Sequence, residues 1–139
     1  MPQTSFATGK DLYWRHIGKV HGRTVEVFLV NDEYNPSRAT SVCNDLIQRE
    51  KVYVLIGGAG TDQISACART AATQGVPYLS AGVDETQVRS LKNYFALSMT
   101  YIQQAPMLIQ WVKKHSPPPN GKFGILRDRT PGFNAVVAW

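Results

Sequence analysis

Apolar positions along the chain follow two spacings, and the switches between them outline an alternating order of strands and helices. Residues 52–56 (VYVLI) form a short apolar, β-branched run of the kind expected of a buried parallel strand. Gly57, Gly58 and Gly60 then allow a sharp turn and close approach of the backbone to a ligand, and Thr61 is a good N-cap for the helix predicted next. That helix carries Ile64, Cys67, Ala68 and Ala71 on one stripe and ends near Gln74-Gly75, a C-cap signal. Residues 76–80 read as a second strand, opening into Ala81-Gly82-Val83-Asp84. The stretch is a βαβ unit with two small-residue loops at one end. N–H groups and the positive dipole end after Gly60 suit an anion such as a carboxylate or phosphate. Open α/β sheets hold ligands at that edge.

The remaining segments extend the pattern in both directions. Residues 5–20 read as the end of a helix, with Tyr13, Trp14, Ile17 and Val20 at helical spacing before the turn His21-Gly22-Arg23. A strand is predicted over residues 24–31, running into the loop Asp32-Glu33-Tyr34-Asn35-Pro36 and a helix at about residues 37–50. Pro36 suits the first turn of that helix, whose stripe is Ala39, Val42, Cys43, Leu46 and Ile47. A weaker strand is predicted over residues 94–97. Residues 100–115 are helical, with Ile102, Ala105, Ile109 and Val112 on one face and Trp111 beside it. Three successive prolines stiffen residues 116–121, and a strand over residues 122–126 restarts the pattern. Both ends fall inside helical patterns without a cap or stop signal, so the sequence reads as a fragment of something longer. No internal repeat or low-complexity tract is present.

Composition narrows the class. A chain of 139 residues, 43% hydrophobic and 18% charged, suffices for one compact α/β domain but not for two full lobes. The net charge of +5 comes from scattered residues such as Arg15, Lys19, Arg23, Arg49, Lys51, Lys92 and Lys113. That pattern favours a generally basic surface and no nucleic-acid partner. No stretch is long and apolar enough to span a membrane, and the first ten residues lack the apolar core of a signal peptide. Cys43 and Cys67 lie on the apolar stripes of two helices, which predicts small buried hydrophobes rather than a disulfide or a metal site. His16, His21 and His115 sit in separate segments without a partner at catalytic spacing, and Asp32-Glu33 reads as a solvated loop pair. The glycine loop lacks the Gly-Lys-Ser/Thr of a Walker loop and the spacing of a dinucleotide fingerprint.

The order of several motifs resembles a known family. Gly22-Arg23-Thr24-Val25-Glu26-Val27 comes first, then Asn31-Asp32-Glu33 with Asn35-Pro36 and a helix, then Leu55-Ile56-Gly57. Next are Gly75-Val76-Pro77-Tyr78-Leu79-Ser80 with Gly82, and Gln103-Gln104 opening a helix. Over residues 10–139 this resembles the type I periplasmic solute-binding proteins, most of all the leucine/isoleucine/valine-binding components of ABC importers. The resemblance implies a doubly wound parallel sheet, a Rossmann-like lobe here incomplete at both ends. Residues 1–116 would be the first lobe, lacking its first strand; residues 117–121 the connector; and residues 122–139 the start of the second lobe.

The same resemblance implies an extracytoplasmic receptor, periplasmic or lipid-anchored, that closes two lobes on a small polar solute and hands it to a membrane permease without chemistry or cofactor. By position, the ligand contacts would be Gly60, Thr61, Gly82, Val83, Asp84, Tyr101 and Phe133. Asp84 departs from the Ser or Thr usual in amino-acid binders and would repel a ligand carboxylate. A ligand-sensing domain of a receptor or transcription regulator with the same fold is the alternative, and an attached DNA-binding or membrane segment would reveal it. A doubly wound enzyme would need a convergent base or nucleophile. An open sheet would also expose apolar surface, so self-association is expected.

Overall fold

A computed structural model describes residues 3–81, 88–124 and 126. The chain divides into two compact units, Met1–Asn31 and Asp32–Trp139.

In the first unit, helix α1 (Gln3–Ile17) stops at Gly18, whose φ of 69° no other residue adopts cheaply. A tight hairpin follows, joining β1 (Lys19–Val20) to β2 (Arg23–Thr24) with Lys19 opposite Thr24 and Val20 opposite Arg23. His21 and Gly22 have φ of 48° and 78°, the pair of positive values that a type I′ turn requires. The strand predicted over residues 24–31 does not form. Only Thr24 lies in a strand, and residues 25–31 join no sheet among the described residues. An apolar run becomes a strand only where a neighbour pairs its backbone groups. Val27, Phe28, Leu29 and Val30 are accordingly exposed.

The second unit carries the parallel sheet. Strands β3 (Leu55–Ile56), β4 (Tyr78–Ser80) and β5 (Tyr94–Ala96) lie in the order β3-β4-β5, all parallel, with Leu55 beside Tyr78 beside Tyr94 and Ile56 beside Leu79 beside Phe95. Helix α2 (Pro36–Gln48) starts where the Arg38 amide donates to the Asn35 side chain at 3.0 Å, with Pro36 in the first turn. Helix α3 (Thr61–Thr73) packs along α2. The two stripes read from the sequence meet one face of the sheet: Cys43, Ile47, Ile64, Cys67, Ala68 and Ala71 cluster with Leu55, Tyr78 and Val88. On the opposite face Ile56 and Phe95 are exposed.

The cysteines correct the sequence reading. They are buried as predicted, but Cys43 and Cys67 are joined in a disulfide across α2 and α3, their Cα atoms 5.7 Å apart. The stripes of two helices packed side by side bring their sulfurs together as well as toward the sheet, a pairing that stripe reading on single helices does not show.

Helix α4 (Tyr101–His115) has its predicted stripe, Ile102, Ala105, Ile109 and Val112, half-buried, whereas Met107, Leu108 and Trp111 are exposed. The strand predicted over residues 122–126 is not seen in its described part, since residues 122–124 are irregular. Among the described residues no helix is long and apolar enough to cross a membrane.

Candidate functional site

Parallel pairing brings three loops to one edge of the sheet. The Gly57 amide donates to the Leu79 carbonyl at 2.9 Å and the Leu97 amide to the Ser80 carbonyl at 2.8 Å, so the chain leaves β3, β4 and β5 side by side. The Ser98 hydroxyl donates to the Ala81 carbonyl and ties the second loop to the third. Residues 57–61 and 80–81 are therefore neighbours, as the βαβ reading requires.

Glycine is needed in the first loop for two reasons. Gly57, Gly58 and Gly60 have φ of 121°, 87° and 87°, where side chains are strained. Space is also lacking. A methyl group on Gly58 would lie 2.6 Å from the Tyr78 hydroxyl, and one on Gly60 would lie 2.8 Å from the end of the Tyr34 ring. The loop is thus threaded between two tyrosines. Tyr78 donates from its hydroxyl to the Gly57 carbonyl at 2.8 Å. Burial, helped by Tyr94 and Asp32, holds its ionisation well above the ordinary tyrosine range. Beside it, the Ser80 and Tyr94 hydroxyls lie 2.6 Å apart and share a hydrogen bond.

Gly60, not Thr61, occupies the N-cap of α3, because the turn needs a positive φ at that position. Thr61 is the first helical residue and is buried. No side chain caps this end of the helix. Its first-turn amides are left without a side-chain cap, an arrangement able to hold a small anion, although the Asp62 carboxylate already lies in the same turn. Gln63, also buried, donates from its side chain to the Tyr34 carbonyl at 2.6 Å and fastens the loop before α2 to the start of α3.

Of the residues expected from sequence, Gly60 and Thr61 come together at this edge. Tyr101 opens α4 and packs half-buried against the core cluster. Gly82, Val83, Asp84 and Phe133 lie outside the described residues. An open cavity of about 610 Å³ beside β5, walled by Val88, Arg89, Tyr94, Met99 and Thr100, includes none of the described candidates. Among the described residues no three His, Cys, Asp or Glu side chains are grouped to hold a metal ion.

Sequence reasoning missed Tyr34, Gln63 and Tyr78. Tyr78 could have been found from its place at the middle of the strand predicted over residues 76–80, the partner of the strand that ends in the glycine loop. Tyr34 carried no signal, since its loop is a neighbour of Gly60 only through the packing of α2 on α3.

A sequence profile of the family described as periplasmic binding protein matches residues 2–139. Among curated protein sequences none matches significantly. Solved structures similar in fold include the following three. A solute-binding protein of an ABC transporter from Rhodopseudomonas palustris, in complex with 3,4-dihydroxybenzoic acid, has a TM-score of 0.69 and 25% identity over 80% of this chain and 33% of its own. The branched-chain amino acid transporter substrate-binding protein LivJ from Streptococcus pneumoniae, in complex with isoleucine, has a TM-score of 0.68 and 20% identity, covering 74% of this chain and 30% of its own. The leucine-binding protein LivK from Thermotoga maritima has a TM-score of 0.68 and 19% identity, covering 75% and 30%. The chain thus spans about a third of the length of these structures. A profile match over nearly all the residues, on a parallel sheet with its loops gathered at one edge, makes the chain a member of the periplasmic binding protein family.

Proposed function

We propose that this chain is the first ligand-binding lobe of the substrate-binding component of an ABC-type importer. It takes a small polar solute bearing a carboxylate, an amino acid, amide or related compound, and performs no chemistry on it. The observation that carries this reading is the glycine loop after β3, which places the α3 N-terminus, without a side-chain cap, at the edge where three parallel strands end. Two of the structural relatives are complexes with isoleucine and with 3,4-dihydroxybenzoic acid, both small carboxylic acids. A disulfide between α2 and α3 suits an oxidising, extracytoplasmic compartment. The delivery partner would be a membrane permease.

In this reading Gly60 and Thr61 receive the carboxylate, with Gly82, Val83 and Asp84 beside them and Tyr101 and Phe133 completing the cleft. Asp84 sets selectivity, because a second carboxylate at a few ångströms in a partly screened site costs about 1–4 kcal/mol. Titration of the ¹⁵N-labelled two-lobed protein with leucine and with 3,4-dihydroxybenzoate is the test. The amide signals of residues 58–63 should move with either ligand, and Asp84→Thr should strengthen the response to leucine. Signals that stay in place with both ligands at millimolar concentration would overturn the reading.

A further inference from the structure

Tyr78 and Tyr94 lie side by side in the register of β4 and β5, and both pack with the core cluster, their ring centroids 5.9 Å apart. Their hydroxyls make the same diagonal contact. Tyr78, whose partner on β3 is Leu55, donates to the carbonyl of Gly57, two residues farther along that chain segment. Tyr94, whose partner on β4 is Tyr78, shares a hydrogen bond of 2.6 Å with the hydroxyl of Ser80, again two residues farther along. Strand side chains lean along the strand, and a tyrosine carries its hydroxyl on a long, stiff ring that reaches the end of the neighbouring strand. Both contacts fall where a strand passes into an edge loop. Gly57 directly follows β3, and Ser80, only 1% exposed, is the last residue of β4. Among the described residues the bond from the Leu97 amide to the Ser80 carbonyl is the last backbone link between β4 and β5, and beyond it the Ser98 hydroxyl holds the Ala81 carbonyl.

We propose that Tyr94 is a positioning residue for the second edge loop, setting from β5 where Ala81 stands, as Tyr78 sets the glycine loop from β4. Each hydroxyl acts through the backbone it holds. Groups that meet a ligand must be kept within about 0.5 Å of their productive place by packing and supporting hydrogen bonds, and side chains supply that support where the backbone ladder stops. The inference rests on the reading of this edge as the solute site. It makes β5, which carries none of the expected ligand contacts, a determinant of affinity.

The test uses the ¹⁵N-labelled two-lobed protein with leucine and 3,4-dihydroxybenzoate as ligands. Tyr94→Phe keeps the ring and removes the hydroxyl. In the free protein it should move the amide signals of residues 80 and 81 and leave those of residues 57–61 in place, whereas Tyr78→Phe should move the latter. Affinity for the ligand that wild type binds more tightly should fall about threefold to tenfold in Tyr94→Phe. Ser80→Ala should give the same loss, and the double variant no more than either single one, since all three break one bond. A hydroxyl pair that serves the fold alone would lower the urea midpoint and leave affinity unchanged; that result overturns the role of Tyr94, as does an additive loss in the double variant. If wild type binds neither ligand at millimolar concentration, the solute reading of the edge falls and the positioning role falls with it.

Discussion

The Tyr78 hydroxyl donates to the Gly57 carbonyl at 2.8 Å and at the same time fills the space where a side chain on Gly58 would stand. One group therefore supports the glycine loop and enforces its composition. Tyr78→Phe, which leaves a partly buried carbonyl without its donor, should lower stability by about 1 kcal/mol. Gly58→Ala should cost about 1–3 kcal/mol, through its positive φ and the clash with the hydroxyl. The double variant should lose less than the sum, by about 0.5 kcal/mol, because removing the hydroxyl relieves the closest of the methyl group's clashes and leaves only that with Ile64. Urea unfolding of the four proteins measures this, and strict additivity would show that the contact is not felt.

Tyr78 also links stability to alkaline pH. Burial raises its ionisation in the folded state above the unfolded value of about 10, so the folded chain holds this proton more tightly. The stabilisation is fully present below about pH 10 and is lost as pH rises through the folded value, at up to about 1.4 kcal/mol per pH unit. Thermal unfolding followed between neutral pH and pH 11 should show a steeper decline for wild type than for Tyr78→Phe. Parallel declines would mean that Tyr78 ionises as freely in the fold as outside it.

The Cys43–Cys67 bond closes a loop with a sequence separation of 24 and fastens α2 to α3. Constraint of the unfolded chain by a loop of that size contributes about 3 kcal/mol. Reduction, or replacement of both cysteines by alanine, should lower the urea midpoint accordingly while leaving the parallel sheet in place. An unchanged midpoint under reductant would show that helix packing alone fixes the pair.

How far the fold could be read from sequence depended on whether each element's partner was close along the chain. The βαβ unit was legible because its two strands and helix are contiguous, and its loops fall at one edge by the handedness of the crossover. Gln74 closes α3 where the cap signal placed it. Residues 24–31 misled, since β-branched periodicity states a preference whose realisation depends on a neighbouring strand. Thr61 misled as a cap because side-chain preference was weighed without the φ of 87° that Gly60 supplies. The disulfide and Tyr34 were hidden for a common reason: both depend on α2 lying against α3, a relation between segments that neither stripe contains.

The same sheet register makes a prediction about association. Alternation along β3, β4 and β5 turns Leu55 and Tyr78 toward the helices and sets Ile56, Leu79 and Phe95 in one row across the opposite face. Ile56 is 67% exposed and Phe95 52%, whereas parallel sheets are ordinarily covered on both faces. Among the described residues β3 has a strand neighbour on one side only, so apolar surface and unpaired edge groups coincide there. The chain should therefore self-associate as its concentration rises, and added salt should not weaken the association, since it rests on apolar contact and not on charge. Ile56→Lys and Phe95→Lys should each shift the equilibrium toward monomer without lowering the unfolding midpoint, because neither side chain belongs to the core cluster. Sedimentation velocity across a hundredfold concentration range measures it directly. A wild-type chain that stays monomeric throughout would show that this face is covered in solution by other parts of the chain.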